Sequence, residues 1–145
     1  MKDKFLDYYM SIAEATAALS NARRLKVGSV IVRDHQIIGT GYNGTPTGWP
    51  NDCEDVLPDG SLKTKNIVIH SESNAILKVA RSTESSVGAT MFCTYAPCID
   101  CAKLIHQGGI TKLYYRNHYR SDEGLDFLDR CGVTVEHYPP KTQSE

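Results

Sequence analysis

The chain has 145 residues, 41% of them hydrophobic, and a formal net charge of −1 at pH 7. That length suits one catalytic-size domain over residues 1–145, and the charge gives no bulk attraction to nucleic acid or to an anionic membrane. No apolar run approaches the roughly twenty residues of a bilayer-spanning helix, acids interrupt the N-terminal stretch where a signal peptide would be apolar, and 5 cysteines, an odd number, favour a reducing cytoplasm over a disulfide framework.

In chain order, residues 3–20 read as a helix, with Phe5, Tyr9, Ile12 and Thr16 on one stripe. Residues 21–26 are a short basic connection holding Arg23, Arg24 and Lys26. The apolar run VGSVIV at 27–32 fits a strand covered on both faces. A turn at 33–36 leads to a second strand at 36–42, predicted to pair with the first as a hairpin. Residues 43–66 form a long loop rich in Gly and Pro, and loops of that length in compact domains are usually functional.

A helix is predicted from His70 to about Arg81, then a polar surface connection at 83–88 and a third strand at 90–94. The next helix begins after Pro97 and runs to about Gln107, where Gly108 and Gly109 stop it. A strand at 110–115, a loop at 117–121, a short helix at 122–130 and a last strand at 133–138 follow, with a polar, frayed tail from about Pro139. Strands alternating with helices predict a three-layer α/β/α sandwich around a mixed five-stranded sheet.

Two short segments carry chemistry. Cys98 and Cys101 are three apart, so on a helix they share one face. His70 adds an imidazole. One His and two Cys make three ligands and leave the fourth tetrahedral position open to water, the pattern of a catalytic rather than a structural zinc. Such a metal lowers the pKa of bound water to roughly 7. Both segments open predicted helices, whose positive ends favour thiolate over thiol. The ligand set is complete without Glu72, so its carboxylate is free to move a proton from water to a leaving group. His70-Ser71-Glu72 followed by Pro97-Cys98-Ile99-Asp100-Cys101 is the arrangement found in zinc nucleobase deaminases.

Beyond those segments, the chain resembles the deoxycytidylate (dCMP) deaminases of phages and bacteria. The resemblance runs from about Val27 to Tyr138 and rests on VGSVIV at 27–32, TGYNGTPTG at 40–48, HSESNAI at 70–76, GATM at 88–91 and CIDCAKLI at 98–105. It implies a cytidine-deaminase-like fold and hydrolysis of dCMP to dUMP and ammonia, which feeds thymidylate synthesis. It also implies zinc on His70, Cys98 and Cys101, with Glu72 as proton shuttle and Asn43 as a substrate contact. A homo-oligomer, commonly a hexamer, follows from the same resemblance. So does regulation, with dCTP and Mg²⁺ activating and dTTP inhibiting. Gly44 and Gly48 would be effector contacts, and Arg81 matches a family arginine linked to assembly and regulation.

The usual residue between His and Glu in that family is Ala, and here it is Ser71, whose backbone N–H still suits the pyrimidine. Relatives with a second, structural zinc use extra Cys and His residues. This chain has only Cys53 in that region, so one zinc per subunit is expected.

Other residues keep two readings. Arg23, Arg24 and Lys26 are either a solvated connection or, through Lys26, a phosphate contact. Tyr119 and Arg120 are either exposed loop residues or a cover and counter-charge for the phosphate. Trp49 is a lid or an oligomer contact, and Cys53 a free loop thiol. Cys93 and Cys131 are expected in the interior, and His35, His106, His118 and His137 at the surface or in packing. The rival functions are another zinc deaminase, acting on dCTP, cytidine, a free base or tRNA adenosine, and a non-catalytic zinc module that binds a nucleotide or nucleic acid.

Overall fold

The computed structural model describes residues 1–141. Its core is a five-stranded sheet in the order β2-β1-β5-β6-β7. β1 (Gly28–Arg33) pairs antiparallel with β2 (Gln36–Tyr42) and with β5 (Thr90–Tyr95). β6 (Lys112–Asn117) and β7 (Thr134–His137) continue from β5 in parallel. The sheet is therefore mixed, as the alternation of elements in the sequence predicts. The hairpin between β1 and β2 turns at Asp34 and His35, both at positive φ, the geometry that suits the twist of paired strands.

Helices cover both faces. α1 (Asp3–Ala17) lies on one side, where Tyr9, Met10 and Ala13 pack on Val30, Val32 and Phe92. α2 (Ser71–Ala80), α3 (Ile99–Gln107) and α4 (Glu123–Arg130) lie on the other, where Ala75, Val79, Ile105 and Leu128 meet Ile31 and Met91. The apolar run in β1 thus splits by parity, as a doubly covered strand must. Ser29 and Ile31 face α2, while Val30 and Val32 face α1. Glycines let a helix approach on each face: a Cβ at Gly28 would stand 2.0 Å from the Ala13 carbonyl oxygen of α1, and one at Gly41 2.3 Å from the Ser71 carbonyl oxygen of α2.

The 43–66 segment differs from a plain loop. It carries a separate hairpin, β3 (Glu54–Val56) with β4 (Leu62–Thr64). Its turn holds Pro58, Asp59 and Gly60 at φ 84, and Asp59 accepts hydrogen bonds from the Ser61 backbone and hydroxyl. Three-residue strands are too short to show alternation, but this turn chemistry was a readable signal. Helix α1 ends at Ala17, three residues before the sequence expectation. Cys93 is buried, but Cys131 is only half-buried, a correction to its expected interior place. At the C-terminus, Tyr138 packs against the α1 side and donates its hydroxyl to Asp7, and Lys141 pairs with Asp7 at 2.9 Å. The frayed tail expected from Pro139 is thus tied down as far as Lys141, and 142–145 lie outside the described residues. Among the described residues no helix is long and apolar enough to cross a membrane.

Candidate active site

The C-terminal end of β5 meets the N-terminal end of β1, because the two strands are antiparallel. Ligands in open α/β sheets collect at such carboxyl edges, where the strand order changes direction. A cavity of about 430 Å³ opens there. Its walls come from the connection before β1, the hairpin β3–β4, the start of α2, the β5–α3 turn and the loop after β6.

His70 and Cys98 occupy equivalent places. Each caps the N-terminus of its helix in an extended conformation, with φ −69 and ψ 155 for His70 and φ −70 and ψ 169 for Cys98. Neither cap uses its side chain on the helix N–H groups, so both are free to face the cavity. Cys101 sits one turn into α3 and is buried. Gly124 lets the start of α4 press on the turn that holds Cys98, since a Cβ there would stand 2.2 Å from the Pro97 carbonyl oxygen.

His70 Nδ1 lies 3.5 Å from Cys98 Sγ and 3.3 Å from Cys101 Sγ, and the three donor atoms are all within 4.8 Å of one another. Tetrahedral zinc bonded at ordinary Zn–S and Zn–N lengths would separate sulfur from nitrogen by about 3.6 Å. The donor set and its spacing therefore fit zinc. Ser73 Oγ, from α2, lies 3.7 Å from Cys101 Sγ and supports that ligand from behind.

The charges agree with a cation site. Cys98 accepts hydrogen bonds from Cys101 and His70, which hold its thiol down to about 3. Cys101 is pushed up by donating to Cys98, by burial and by the charge of Glu72. His70 is raised by its bond to Cys98, against the opposing effect of burial. Without a cation the pair of sulfurs shares one negative charge. A divalent metal relieves the restraint on the second.

Glu72 lines the same cavity, buried to 4% exposure. Ser71 Oγ donates to its Oε1, and among the described residues no hydrogen bond reaches Oε2. Ser71 is fully buried beside it.

The remaining residues singled out in the sequence divide. Asn43 lines the cavity, but its amide is engaged with backbone: Nδ2 donates to Leu25 at 2.8 Å, and Oδ1 accepts from Val27 at 2.9 Å. One N–H and one lone pair remain for a ligand. Tyr119 and Arg120 line the cavity, the ring edge-on to Tyr95 at 6.1 Å and the guanidinium 5.4 Å over the Tyr119 ring. Lys26 is exposed and outside the lining, whereas Arg24 is on it, with Nη1 bonded to Thr64 at 2.7 Å.

Gly44 is tied by two backbone bonds to Ile69, just before His70. Gly48, at φ 87, stands in open space, and Arg81 caps the far end of α2. Ten residues of helix separate Arg81 from the metal ligands, about 15 Å. Trp49 is 55% exposed and does not line the cavity. Cys53 is free and buried on the cavity wall, and burial pushes its thiol up.

Glu54 is the residue that the sequence did not reveal. Its carboxylate is buried on the cavity wall, with Oε2 accepting the backbone N–H groups of Arg23 at 2.9 Å and Arg24 at 3.1 Å. Oε1 has no hydrogen-bond partner among the described residues, although Arg23 Nε stands 3.6 Å away. A buried acceptor left unmet costs about 1–3 kcal/mol, so such an atom commonly awaits a ligand or water.

A mixed five-stranded sheet, one imidazole and two sulfurs at helix starts, and a carboxylate beside them together define a zinc-dependent deaminase site. The profile of the family "Cytidine and deoxycytidylate deaminase zinc-binding region" matches residues 3–117, and the chain belongs to that family. A crystal structure of dCMP deaminase from the cyanophage S-TIM5, in complex with dCMP and dUMP, superposes with a TM-score of 0.89 at 46% identity, covering 95% of this chain and 99% of that one. The deoxycytidylate deaminase of Mycobacterium phage D29 is 37% identical over 119 residues, 75% of this chain and 91% of that protein. That of Saccharomyces cerevisiae is 35% identical over 144 residues, 95% of this chain. The chain spans only 46% of that yeast protein's length.

Proposed function

We propose that the chain deaminates dCMP hydrolytically to dUMP and ammonia, as a single catalytic domain with one zinc. The observation that carries this is the convergence of His70, Cys98 and Cys101 with Glu72 in one cavity that also bears two arginines, Arg24 and Arg120. The cyanophage protein that was crystallised with dCMP and dUMP supports the choice of substrate.

Zinc, when bound, supplies the Lewis acidity that activates water for attack on the amidine-like carbon. The chain's own residues do the rest. Glu72 takes the proton of the attacking water on Oε2 and returns it to the departing amino group, so that ammonia leaves. Burial of Glu72 itself limits the access of bulk water to that exchange. The Ser71 backbone N–H donates to the pyrimidine, and Asn43 holds the wall against which the nucleoside rests. Glu54 Oε1 accepts the sugar 3′-hydroxyl, which meets its missing hydrogen bond. Arg24 and Arg120 bind the phosphate, with the Tyr119 ring beside it. Lys26, exposed beyond the wall, adds only long-range charge.

Regulation belongs to the same proposal: dCTP with Mg²⁺ activates, dTTP inhibits, and both act on a homo-oligomer, commonly a hexamer. The exposed side chains of Trp49, Val56 and Leu57 on the 43–66 segment offer apolar surface for subunit contact. Gly44, Gly48 and Arg81 would belong to the effector response. Gly44 is the one with a direct path to the metal, through Ile69 and His70.

The test is ammonia release from dCMP, deoxycytidine and dCTP, each assayed with and without dCTP–Mg²⁺ or dTTP as effector. dCMP is turned over, and deoxycytidine is at least about a hundredfold poorer in kcat/KM, because it lacks the charged group that two arginines would hold. Equal turnover of deoxycytidine would refute the nucleotide reading. A hyperbolic rate curve indifferent to both effectors would refute the regulatory part.

A further inference from the structure

A line of buried polar side chains runs from Glu72 on the cavity wall into the interior. Ser71 Oγ is bonded to Glu72 Oε1, Ser29 Oγ lies 2.7 Å from Ser71 Oγ, and Cys93 Sγ lies 3.3 Å from Ser29 Oγ. Ser71, Ser29 and Cys93 are all fully buried. They come from three elements: Ser71 opens α2, and Ser29 and Cys93 are direct cross-strand partners on β1 and β5. Two hydroxyls and a thiol placed in an apolar layer are costly unless each finds a partner. Here all of them end on one carboxylate.

The direction of donation follows from the chemistry. An ionised carboxylate only accepts, so the Ser71 proton goes to Glu72. Ser71 has no second proton, so Ser29 must donate to Ser71. Ser29 then accepts from Cys93, whose thiol is kept protonated chiefly by burial. The order is Cys93 to Ser29 to Ser71 to Glu72, with one donor per link.

We infer that the Ser29–Ser71 pair is a positioning device for Glu72: it fixes Oε1 as a permanent acceptor and leaves Oε2 as the one oxygen that carries the proton. This deepens the deaminase reading and rests on it. A carboxylate bonded at one oxygen is biased toward one orientation about its terminal torsion, which is otherwise broad and two-fold. Proton transfer needs the accepting oxygen within hydrogen-bond reach of its partner, so holding the plane raises the fraction of productive encounters. Ala at the position between His and Glu supplies the backbone N–H but no such restraint.

The test uses Ser71→Ala, Ser29→Ala and the double variant in the full chain. Ser71→Ala lowers kcat for dCMP by about tenfold while KM moves by less than about twofold and bound zinc stays the same. Ser29→Ala gives a smaller loss, and the double variant is no worse than Ser71→Ala alone, because both act through one bond. In a Glu72→Gln background, Ser71→Ala adds no further loss. Unchanged kcat in Ser71→Ala, or the same loss in the Glu72→Gln background, would overturn the inference.

A crystal structure of Ser71→Ala gives a readout that needs no substrate. The Glu72 carboxylate then occupies more than one orientation, and a single orientation matching the parent would overturn the inference. If the parent chain itself releases no ammonia from dCMP, the substrate reading fails, and the crystal structure still decides the role of Ser71.

Discussion

His70 Nδ1 stands 3.3 Å from Cys101 Sγ, although 31 residues separate the two in the chain. The sheet brings them together. β5 leads into the cysteine helix, β1 lies between β5 and β2, and α2 crosses β1 and β2 so that its first turn faces the cysteines. Metal binding and folding of this edge are therefore coupled.

That coupling has a proton signature. Hydrogen bonds from Cys101 and His70 favour the thiolate at Cys98, the bond to Cys98 and burial push Cys101 up, and the bond to Cys98 raises His70 above its ordinary value. Zinc requires both sulfurs deprotonated and the imidazole neutral. Binding near pH 7 should therefore release protons, from Cys101 and from His70. Affinity should fall as pH falls, because protons compete. Calorimetric titration in two buffers of different ionisation enthalpy measures the number, and a value at or below zero would contradict it.

Gly124 sets the position of the cysteine turn. A Cβ at this place would stand 2.2 Å from the Pro97 carbonyl oxygen, and both partners are backbone, so the turn or α4 must shift. Gly124→Ala is expected to lower stability by about 1–3 kcal/mol, the usual range for forced overpacking. It should also weaken zinc retention against a chelator. Denaturation midpoints and chelator competition check both, and a parent-like zinc affinity would show that the turn is not held by this contact.

Glu54 predicts a dependence on the sugar. If Oε1 meets the 3′-hydroxyl, then 2′,3′-dideoxy-CMP should be a poorer substrate than dCMP by about tenfold or more in kcat/KM. Glu54→Gln keeps the volume and one acceptor for the Arg23 and Arg24 N–H groups. In that variant the gap between the two substrates should narrow. An unchanged gap would remove Glu54 from sugar recognition.

The two arginines predict a phosphate effect. Arg24→Ala and Arg120→Ala should each raise KM for dCMP by roughly tenfold, since each removes a charge-assisted contact. The poor turnover of deoxycytidine should barely change. Steady-state kinetics on both substrates separates the cases, and an equal effect on both would mean that the arginines shape the wall rather than hold the phosphate.

The tail gives a pH dependence of stability. The Tyr138 hydroxyl first, and Lys141 next, hold the Asp7 carboxyl below its ordinary value. A depressed acid adds stability above its unfolded pKa and loses it as pH falls through the folded one. The melting temperature of the parent should thus exceed that of Asp7→Asn at neutral pH, and the two should converge as the pH falls below the ordinary range of an aspartate. Parallel curves through that range would show that the tie contributes nothing.

The main elements and the metal ligands were legible because their signals are local. Parity in VGSVIV, helix stops at Gly108 and Gly109, and the Cys-x-x-Cys spacing each lie within a few residues. What was not legible depends on distant partners. Glu54 looks like a loop acid until the Arg23 and Arg24 N–H groups, 31 and 30 residues earlier, close on it. Ser29 reads as a lone polar residue in an apolar strand, and its partner Ser71 is 42 positions away. Lys26 and Arg24 are two residues apart in one basic stretch, and only the path of that connection puts Arg24 on the cavity wall.

The most direct measurement takes metal content and ammonia release on the same preparations of the parent, Glu72→Ala and Cys101→Ala. We expect one zinc per chain in the parent and in Glu72→Ala, little in Cys101→Ala, and ammonia from dCMP with the parent alone. Ammonia from Glu72→Ala at the parent's rate, or from a preparation without zinc, would contradict the account.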